Sequence, residues 1–388
     1  MDVCVIGAGL MGKAICYDLV SSGQVSSVVL LDSNNSALTM VEKFCNSDIL
    51  ITKHVNVTDQ DTLKHILKDC SVAISAIPYY FNEMLTKRCI ETQTHFIDLG
   101  GNNTVVSKQK TYHRKSKDAN VTVIPDNGLA PGLVSVITKD IVDCYPDVEK
   151  VKIRVGGLPI RPSPPLDYEI VFSPNGLINE YTEDSIILDN GEIKTKPSMT
   201  EIESIDFPKP FGTMEAFITS GGCSTLPYSF QNKIGYLDYK TIRYPGHCEK
   251  FKAILDLGFG STEPQMIHDK EIIPRDVLIH QLNQVLPKTG EDVVLLKVIS
   301  QVKKNQKRYL VEYTMIDYMD NKTMLTAMMR STGFPVSITA TFLLNETIKN
   351  PGVFCPEEII PPALLFSELE KRNIIIKKTE TEIHDRYG

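Results

Sequence analysis

The first 32 residues constrain the fold of this chain more than any other segment. A short apolar run at Asp2–Ile6 is typical of a buried parallel strand, and it leads directly into the glycine-rich sequence GAGLMG at Gly7–Gly12. A helical stripe follows, and a second apolar strand at Val28–Leu31 ends in Asp32. This order of strand, glycine-rich turn, helix, strand and acid predicts a dinucleotide-binding unit, with a glycine-rich turn of another α/β protein as the alternative.

Each glycine of this turn has a separate role in binding a dinucleotide. Gly7 permits the tight turn, Gly9 lets a pyrophosphate approach the N–H groups at the helix start, and Gly12 lets the helix pack closely. Asp32 lies at the end of the second strand, where its carboxylate would accept hydrogen bonds from the adenine ribose. No arginine follows it to hold a 2′-phosphate, so NAD is favoured over NADP. The predicted cofactor-binding residues are Gly7, Gly9, Leu10, Met11, Gly12, Asp32, Ile77 and Pro78.

Composition and charge exclude several other classes of protein. The 388 residues are 42% hydrophobic and 23% charged, which is typical of a globular protein of two or three domains. A net charge of −7 provides no positive field for nucleic acid. The nine cysteines occur singly, which predicts reduced thiols in a cytoplasmic protein and neither disulfides nor a metal site. No stretch approaches the ~18 apolar residues of a membrane span.

Apolar strands and helices continue to alternate as far as residue 124, which predicts a doubly wound parallel sheet of the Rossmann type. Ligands of such sheets bind beyond the carboxyl ends of the strands. Tyr79, Asp98 and Asp126 follow the fourth, fifth and sixth predicted strands, respectively. We therefore expect these three residues to lie together at one edge of the sheet.

The pattern changes in the middle of the chain and changes back near its end. From residue 151 to about residue 330, short strand-like runs are separated by glycine- and proline-rich turns, which predicts an α+β domain with a mainly antiparallel sheet. Past Gly333 the pattern is helical, with a terminal strand expected at Ile374–Ile376. We predict a Rossmann domain formed by residues 1–130 and 334–388, and a substrate-binding and dimerisation domain at residues 131–333.

Several short motifs of the chain resemble a known family and occur in that family's order. The principal ones are Gly128–Gly132, Gly212–Phe217, Thr219–Leu226, Arg243–His247 and Thr326–Met328. With them the chain resembles the saccharopine dehydrogenase (reductase-type) superfamily, and within it most of all the L-lysine 6-dehydrogenase branch. The resemblance implies a Rossmann domain completed by C-terminal segments and a central α+β domain that binds substrate and often forms the dimer. It also implies hydride exchange between a nicotinamide cofactor and a carbon–nitrogen bond.

The chain departs from the saccharopine reductases at two places. Those enzymes usually carry an acid in the loop that here reads Leu129–Pro131, and an arginine-containing turn after the second strand, where this chain has Asp32 and Ser33. Both departures favour the lysine 6-dehydrogenase branch with NAD as its cofactor.

Amine oxidation by hydride transfer requires a neutral amine, and the ordinary pKa of a lysine ammonium is ~10.4, so a base must remove its proton. Asp98 and Asp126 suit this role and the activation of the water that hydrolyses the imine. Tyr79 would stack on the cofactor or hydrogen-bond near it. In the alternative interpretation the two acids cap loops or helices and Tyr79 only packs.

The substrate carboxylate requires a bidentate partner, for which Arg243 is the best candidate; the alternative is a structural salt bridge. Thr219 offers a hydroxyl donor, and Glu215 is the candidate for the α-ammonium group. Lys240 and His247 flank Arg243 and are candidates for proton transfer, although a single histidine is as often structural.

The predicted function is NAD-dependent oxidative deamination of an amino acid. L-Lysine would be oxidised at its ε-amine to 2-aminoadipate 6-semialdehyde, which cyclises to 1-piperideine-6-carboxylate, with release of ammonia. One alternative is a saccharopine or carboxynorspermidine type of enzyme, which reduces with NAD(P)H an imine formed from an aldehyde and an amine. Another is a nucleotide-sensing protein without turnover. We expect a cytoplasmic homodimer with a small amino-acid substrate and no nucleic-acid or membrane partner.

Overall fold

The computed structural model of the protein describes residues 2–287 and 290–383. These residues form two compact units. The first contains the described residues of Met1–Asp140, Ser224–Ser229 and Met329–Ile375, and the second contains those of Ile141–Cys223, Phe230–Met328 and Ile376–Gly388.

The helices and strands follow one another in three stretches. The first stretch contains β1 (Val3–Ile6), α1 (Leu10–Ser22), β2 (Val28–Asp32), α2 (Asn35–Cys45), β3 (Leu50–His54), α3 (Gln60–Leu67), β4 (Val72–Ser75), α4 (Asn82–Thr92), β5 (His95–Asp98), α5 (Asn103–Lys110), α6 (His113–Asp118), β6 (Thr122–Ile124) and α7 (Leu133–Cys144). The second contains β7 (Asp147–Pro159), α8 (Pro174–Thr182), β8 (Ser185–Asp189), β9 (Glu192–Lys196), β10 (Glu203–Phe207), β11 (Gly212–Ile218), α9 (Leu226–Ser229), β12 (Ile234–Arg243), α10 (His247–Ile254), β13 (Gln265–Ile267), β14 (Lys270–Ile272), α11 (Pro274–Val285), β15 (Asp292–Lys304) and β16 (Lys307–Tyr318). The third contains α12 (Ala327–Leu344), β17 (Gly352–Val353), α13 (Pro356–Ile359), α14 (Pro362–Lys371) and β18 (Lys377–Ile383).

The first unit is built on a seven-stranded parallel sheet in the order β17-β6-β5-β4-β1-β2-β3. All four residues of β1 are fully buried, as expected for a parallel strand covered on both faces. Each large apolar side chain buried in this way contributes roughly 1.5–3 kcal/mol to stability. The strand order reverses between β1 and β4, and this switch point is where such sheets bind ligands. The predicted doubly wound sheet is confirmed.

Residues from the end of the chain complete the first unit. Asp18 on α1 is buried, and its carboxylate accepts from Arg372 Nε at 2.6 Å and from the Ser337 hydroxyl. On α12, a Cβ at Gly333 would lie only 3.0 Å from Ala14 Cβ, so the two helices pack closely there. A buried charge of this kind is tolerated because an oppositely charged partner and a hydroxyl satisfy it.

The second unit contains a nine-stranded mixed sheet. Its main path is β10-β11-β12-β7-β15-β16-β18, and β8 joins β12 to β9. Only the β12–β7 pairing is parallel, so the predicted mainly antiparallel sheet is confirmed. An apolar cluster that includes Tyr168, Tyr181 and Phe251 joins α8, α10 and α11 within this unit.

The division into units differs from the predicted boundaries at residues 130 and 333 in four places. One is at residues 329–333, which belong to the first unit. The start of α7 stays with the first unit, where Leu133 N–H donates to Gly128 O at 2.9 Å. Ser224–Ser229 also belongs to the first unit, because its hydroxyl groups bond to acids of that unit. The strand predicted at Ile374–Ile376 is wrong; the final strand is β18, which pairs with β16 in the second unit.

Three further properties concern only residues 2–287 and 290–383. No helix there is long and apolar enough to cross a membrane. No group of three or more His, Cys, Asp and Glu side chains in that part is arranged to hold a metal ion. No disulfide joins the nine cysteines, all of which lie in it.

Candidate active site

The turn between β1 and α1 has the shape that a dinucleotide requires. Gly7 has φ +110°, and a Cβ there would lie 2.7 Å from Ala76 O. A Cβ on Gly12 would lie 1.8 Å from Gly7 O, so α1 can begin this close to the turn only with glycine at both positions. Gly9 differs from both, since no atom lies within 4 Å of its added Cβ. Its open side is the space that a pyrophosphate would take.

The start of α1 has donors available for an anion. Gly9 is the N-cap, and no side chain caps the first N–H groups of the helix. Unpaired N–H groups at a helix start, together with the helix dipole, favour a phosphate. Leu10 is 57% exposed and Met11 is half-buried, so neither side chain closes this position.

Asp32 ends β2 beside this turn. Its Oδ2 accepts from Ala8 N–H at 2.6 Å and its Oδ1 from Asn34 N–H at 2.7 Å. The half-buried carboxylate keeps free lone pairs toward solvent, which is where ribose hydroxyls would bind. Ile77 also borders the turn, because its Cγ2 would lie 2.7 Å from a Cβ at Gly7, whereas Pro78 is exposed.

The predicted meeting of the fourth, fifth and sixth strand ends is confirmed. Asp126 N–H donates to Asp98 Oδ1 at 3.2 Å, and Asn127 N–H donates to Asp98 O at 2.8 Å. Tyr79 reaches the same edge, where its Cδ1 would lie 3.4 Å from a Cβ at Gly101.

Asp98 is fully buried and surrounded by donors. In addition to the Asp126 N–H, its Oδ1 accepts from Gly100 N–H at 2.8 Å, and its Oδ2 accepts from Gln109 Nε2 at 2.6 Å. Burial raises the pKa of Asp98 to about 6, although these hydrogen bonds act in the opposite direction. Asp98 therefore ties the loops after β5 and β6 together.

Asp126 has a different environment from Asp98, although both are buried. Its backbone has φ 59°, in the left-handed region, and a Cβ on Gly100 would lie 1.9 Å from its Oδ1. Oδ2 accepts from the Ser224 hydroxyl, while Oδ1 has no hydrogen-bond partner among the described residues. Burial raises the pKa of Asp126 to about 7; the Ser224 bond lowers it, and the charges of Asp98 and Glu357 raise it. A carboxyl group with this pKa exchanges protons readily near neutral pH.

Two further residues of this edge were not predicted as site residues. Ser224 donates to Asp126, and Glu357 Oε1 accepts from the hydroxyls of Thr225 at 2.7 Å and Ser229 at 2.6 Å. β17 pairs in parallel with β6, the strand that ends just before Asp126. Glu357 follows the carboxyl end of β17 and so lies at the same edge of the sheet. Burial raises the pKa of Glu357 as well. The signal for Ser224 in the sequence is its place in the motif Thr219–Leu226, where the glycine-rich segment Gly221–Thr225 offers hydroxyl and backbone donors for the substrate; no sequence signal indicated a role for Glu357.

Several buried polar atoms at this edge lack partners among residues 2–287 and 290–383. They are Asp126 Oδ1, Glu357 Oε2 and both polar side-chain atoms of Asn127. Leaving a buried polar group unpaired costs about 1–3 kcal/mol, and such groups are retained where a ligand or water completes them. This edge of the first unit therefore has the polarity of a binding site.

In the second unit, the structure brings Arg243 and His247 together. Arg243 Nε donates to the Tyr181 hydroxyl at 2.8 Å, which lies 3.1 Å from His247 Nε2; His247 Nδ1 lies 2.9 Å from Leu166 O. Burial, followed by the charge of Arg243, lowers the pKa of His247 to about 3, so the ring is neutral and orients Tyr181. The proton-transfer role predicted for His247 stays a prediction.

The other predicted substrate residues have partners of their own, although Glu215 lies opposite Arg243 in the register of β11 and β12. Glu215 accepts from Gly246 N–H and Cys248 N–H, each at 2.7 Å, and so caps the start of α10. Lys240 Nζ donates to Glu201 O at 2.6 Å and to Glu203 Oε2 at 3.2 Å, and the Thr219 and Thr241 hydroxyls are bonded at 2.8 Å. These contacts favour structural roles, and substrate contacts by the three residues stay untested.

Three features define the class of this protein: a dinucleotide-type turn, a parallel sheet with acids at its carboxyl edge, and a second unit with a mainly antiparallel sheet. They are typical of the two-domain nucleotide-dependent dehydrogenases. Comparison with known families places the chain within this class. Residues 3–124 match the saccharopine dehydrogenase NADP binding domain, and residues 128–375 match the saccharopine dehydrogenase C-terminal domain. The chain belongs to the saccharopine dehydrogenase family, whose members are NAD(P)-dependent oxidoreductases acting on carbon–nitrogen bonds.

Individual relatives are similar at low identity over most of the chain. The mitochondrial alpha-aminoadipic semialdehyde synthase of Rattus norvegicus is 23% identical over 98% of this chain, which spans only 48% of that protein. The saccharopine dehydrogenase [NADP(+), L-glutamate-forming] of Saccharomyces cerevisiae is 22% identical, covering 98% of this chain and 99% of its own length. The carboxynorspermidine synthase of Vibrio cholerae is 23% identical over 94% of each chain. The solved structure of the apo histidine-tagged saccharopine dehydrogenase (L-Glu forming) from Saccharomyces cerevisiae has the same fold, with a TM-score of 0.81 at 21% identity, covering 98% of this chain and 99% of that chain.

Proposed function

We propose that this protein oxidises the ε-amine of L-lysine with NAD, releasing ammonia and 2-aminoadipate 6-semialdehyde, which cyclises to 1-piperideine-6-carboxylate. The observation that carries the proposal is Asp126, a buried carboxyl group with a pKa of about 7 at the carboxyl edge of the nucleotide-type sheet. The absence of the acid and the arginine-containing turn usual in saccharopine reductases supports the lysine 6-dehydrogenase type.

Asp126 is the base in this proposal. Its carboxylate removes a proton from the substrate ammonium, because only the neutral amine can release a hydride from the adjacent carbon. A nicotinamide cofactor, when bound, would supply the hydride acceptor. After Asp126 has released that proton to solvent, its carboxylate accepts a proton from the water that adds to the substrate iminium. The resulting carbinolamine loses ammonia to give the aldehyde. Asp98 acts as a positioning residue, since it holds the Asp126 backbone and has no free oxygen of its own.

NAD is the proposed cofactor. The Asp32 carboxylate would accept hydrogen bonds from the ribose hydroxyls, and it would repel a 2′-phosphate. The residues after it, Ser33 and Asn34, offer no cation for that phosphate. Arg243 is proposed to hold the α-carboxylate of the substrate. The cytoplasmic location and the homodimer stay predictions.

The alternative is an enzyme that condenses an aldehyde with an amine and reduces the resulting imine. It is favoured by the names of the yeast and Vibrio relatives, a saccharopine dehydrogenase and a carboxynorspermidine synthase. Both functions need an acid–base group at the edge and a nicotinamide cofactor, so the substrates decide between them.

The test is a screen of cofactor reduction and oxidation. NAD and NADP are offered with lysine, ornithine, saccharopine and related diamines at about pH 9, and NAD(P)H is offered with an aldehyde alone, an amino acid alone and both together. We expect NADH to form when lysine is added to NAD without any aldehyde. Oxidation of NAD(P)H only when aldehyde and amino acid are both present would select the alternative, and no change with any combination would overturn both.

A further inference from the structure

Arg243 is a buried cation without an ion-pair partner among the described residues. The residue is 2% exposed, and none of the described carboxylates forms an ion pair with it. Nε donates to Tyr181, Nη1 donates to Ile242 O at 2.9 Å, and no acceptor for Nη2 lies among the described residues. A buried guanidinium without a bonded ion-pair partner is costly, and the charge of Glu180 acts on it only without a bond, so this position can accept a carboxylate from outside the chain.

The ring of Tyr168 covers the guanidinium. Its centroid lies 4.7 Å from Arg243 Cζ, a cation–π contact that holds the guanidinium plane. Tyr168 is 1% exposed, and its hydroxyl has no hydrogen-bond partner among the described residues. A carboxylate held by Arg243 would give this hydroxyl the acceptor that it lacks.

Glu180 carries the complementary charge in the same neighbourhood. It precedes Tyr181 on α8, and its side chain is half-buried, so a ligand can reach it. No hydrogen bond or ion pair to its carboxylate is formed by the described residues. Burial raises the pKa of Glu180 to about 7, and the nearby charge of Arg243 lowers it in part. The charges of Glu180 and Arg243 act on each other, and Tyr181, the next residue of α8, accepts from Arg243 Nε at 2.8 Å.

A carboxylate and a guanidinium that lie in one neighbourhood of the second unit without pairing with each other match a zwitterion. We propose that Glu180 binds the α-ammonium group of the substrate while Arg243 and the Tyr168 hydroxyl bind its α-carboxylate. Glu215, the residue first predicted for the ammonium group, has both oxygens bonded to the start of α10. The inference rests on the proposed function only in taking the substrate to be an amino acid, and it holds equally for lysine and for an adduct that keeps an α-amino carboxylate.

The test uses two analogues of L-lysine, each lacking one charged group. 6-Aminohexanoate lacks the α-ammonium, and cadaverine lacks the α-carboxylate. We expect Glu180→Gln to weaken L-lysine binding, and to lower its kcat/KM, about 10- to 100-fold while leaving 6-aminohexanoate unchanged, because only lysine loses a charge-assisted hydrogen bond. Glu183→Gln, at the exposed C-cap of the same helix, should change neither ligand.

Tyr168→Phe keeps the ring over Arg243 and removes only the hydroxyl. We expect it to weaken L-lysine and 6-aminohexanoate alike, by about 5- to 10-fold, and to leave cadaverine unchanged. If Glu180→Gln weakens the binding of L-lysine and of 6-aminohexanoate equally, the assignment of Glu180 is overturned.

Binding is measured by titration calorimetry as well as by turnover, so that the two proposals fail separately. If no amino acid is oxidised but L-lysine or L-saccharopine still binds, and Glu180→Gln weakens that binding selectively, the proposed function is wrong and the zwitterion site stands. If lysine is oxidised and Glu180→Gln binds L-lysine and 6-aminohexanoate with the same ratio of affinities as the unmodified protein, the zwitterion site is wrong and the function stands.

Discussion

At the residue scale, Asp126 and Asp98 show how two buried acids acquire different tasks. Asp98 has three donors on its two oxygens, whereas Asp126 has one hydroxyl donor on Oδ2 and an unpaired Oδ1. The left-handed backbone of Asp126 and the missing side chain of Gly100 let that oxygen approach the loop after β5. Residues held in such conformations cluster at functional sites, where the surrounding structure stabilises them.

Asp126→Asn tests the proposed base. We expect kcat/KM for lysine to fall about 10²- to 10⁴-fold, since the amide cannot accept the substrate proton. In the unmodified protein the rate should rise with pH through an inflection near 7, because the pKa of Asp126 is raised to about 7 and only its ionised form is a base. The variant should lose this inflection and keep only the rise from the substrate amine at higher pH. Asp118→Asn, an exposed acid at the end of α6, is the control; an inflection near 7 that persists in Asp126→Asn would assign the base elsewhere.

At the element scale, the three glycines at the start of α1 differ in what requires them. Two are required by the packing of the fold, and the third leaves space for a ligand. Gly7 and Gly12 are required by contacts within the turn, since each added Cβ would meet backbone atoms at less than 3 Å. Gly9 has an extended backbone, with φ −73°, and open space beside it. The first two therefore serve folding, whereas the third is proposed to serve the approach of a phosphate.

A pair of alanine variants tests this separation. Gly9→Ala should change the free energy of unfolding by less than about 0.5 kcal/mol and weaken NAD binding at least tenfold, because the methyl group takes the place of the pyrophosphate. Gly12→Ala should lower the free energy of unfolding by about 1–3 kcal/mol, because its Cβ would overlap Gly7 O. Thermal unfolding without cofactor and NAD titration give the two quantities. Unchanged NAD affinity in Gly9→Ala would place the phosphates elsewhere.

At the scale of the whole molecule, both units bury carboxyl groups that burial keeps protonated well above their ordinary pKa. Asp126 in the first unit and Glu180 in the second both have a pKa of about 7. The unfolded chain has already released these protons near pH 4. The native state thus binds more protons than the unfolded state between about pH 4 and pH 7, and its stability falls as the pH rises through that range.

The melting temperature of the protein without cofactor should therefore decrease from pH 6.5 to pH 8. His247, whose folded pKa is lowered to about 3, has the opposite effect, but only below the unfolded value of 6.5. The double variant Asp126→Asn, Glu180→Gln should flatten this dependence, while the exposed Asp48→Asn should not. Scanning calorimetry at several pH values makes the comparison, and a melting temperature that rises across this range would contradict the raised pKa values.

Much of the fold and about half of the first unit's site are predictable from the sequence. The parallel sheet and the meeting of Tyr79, Asp98 and Asp126 follow from local patterns, since parallel strands in a doubly wound sheet align their carboxyl ends. Ser224 and Glu357 are not predictable in this way. They lie 98 and 231 residues from Asp126, and only the pairing of β17 with β6 and the position of Ser224–Ser229 in the first unit bring them to it.

The sequence by itself determined the nucleotide-type turn, because the glycine spacing and the strand and helix periods are local properties of the chain. Tertiary structure decided which charged side chains keep atoms free to bind a ligand. Glu215 became a helix cap and Asp98 a link between loops, while Asp126, Arg243 and Glu180 kept unpaired atoms. The reason is physical: burial and hydrogen-bond partners set the pKa and the free lone pairs of a side chain, and both come from residues distant in sequence.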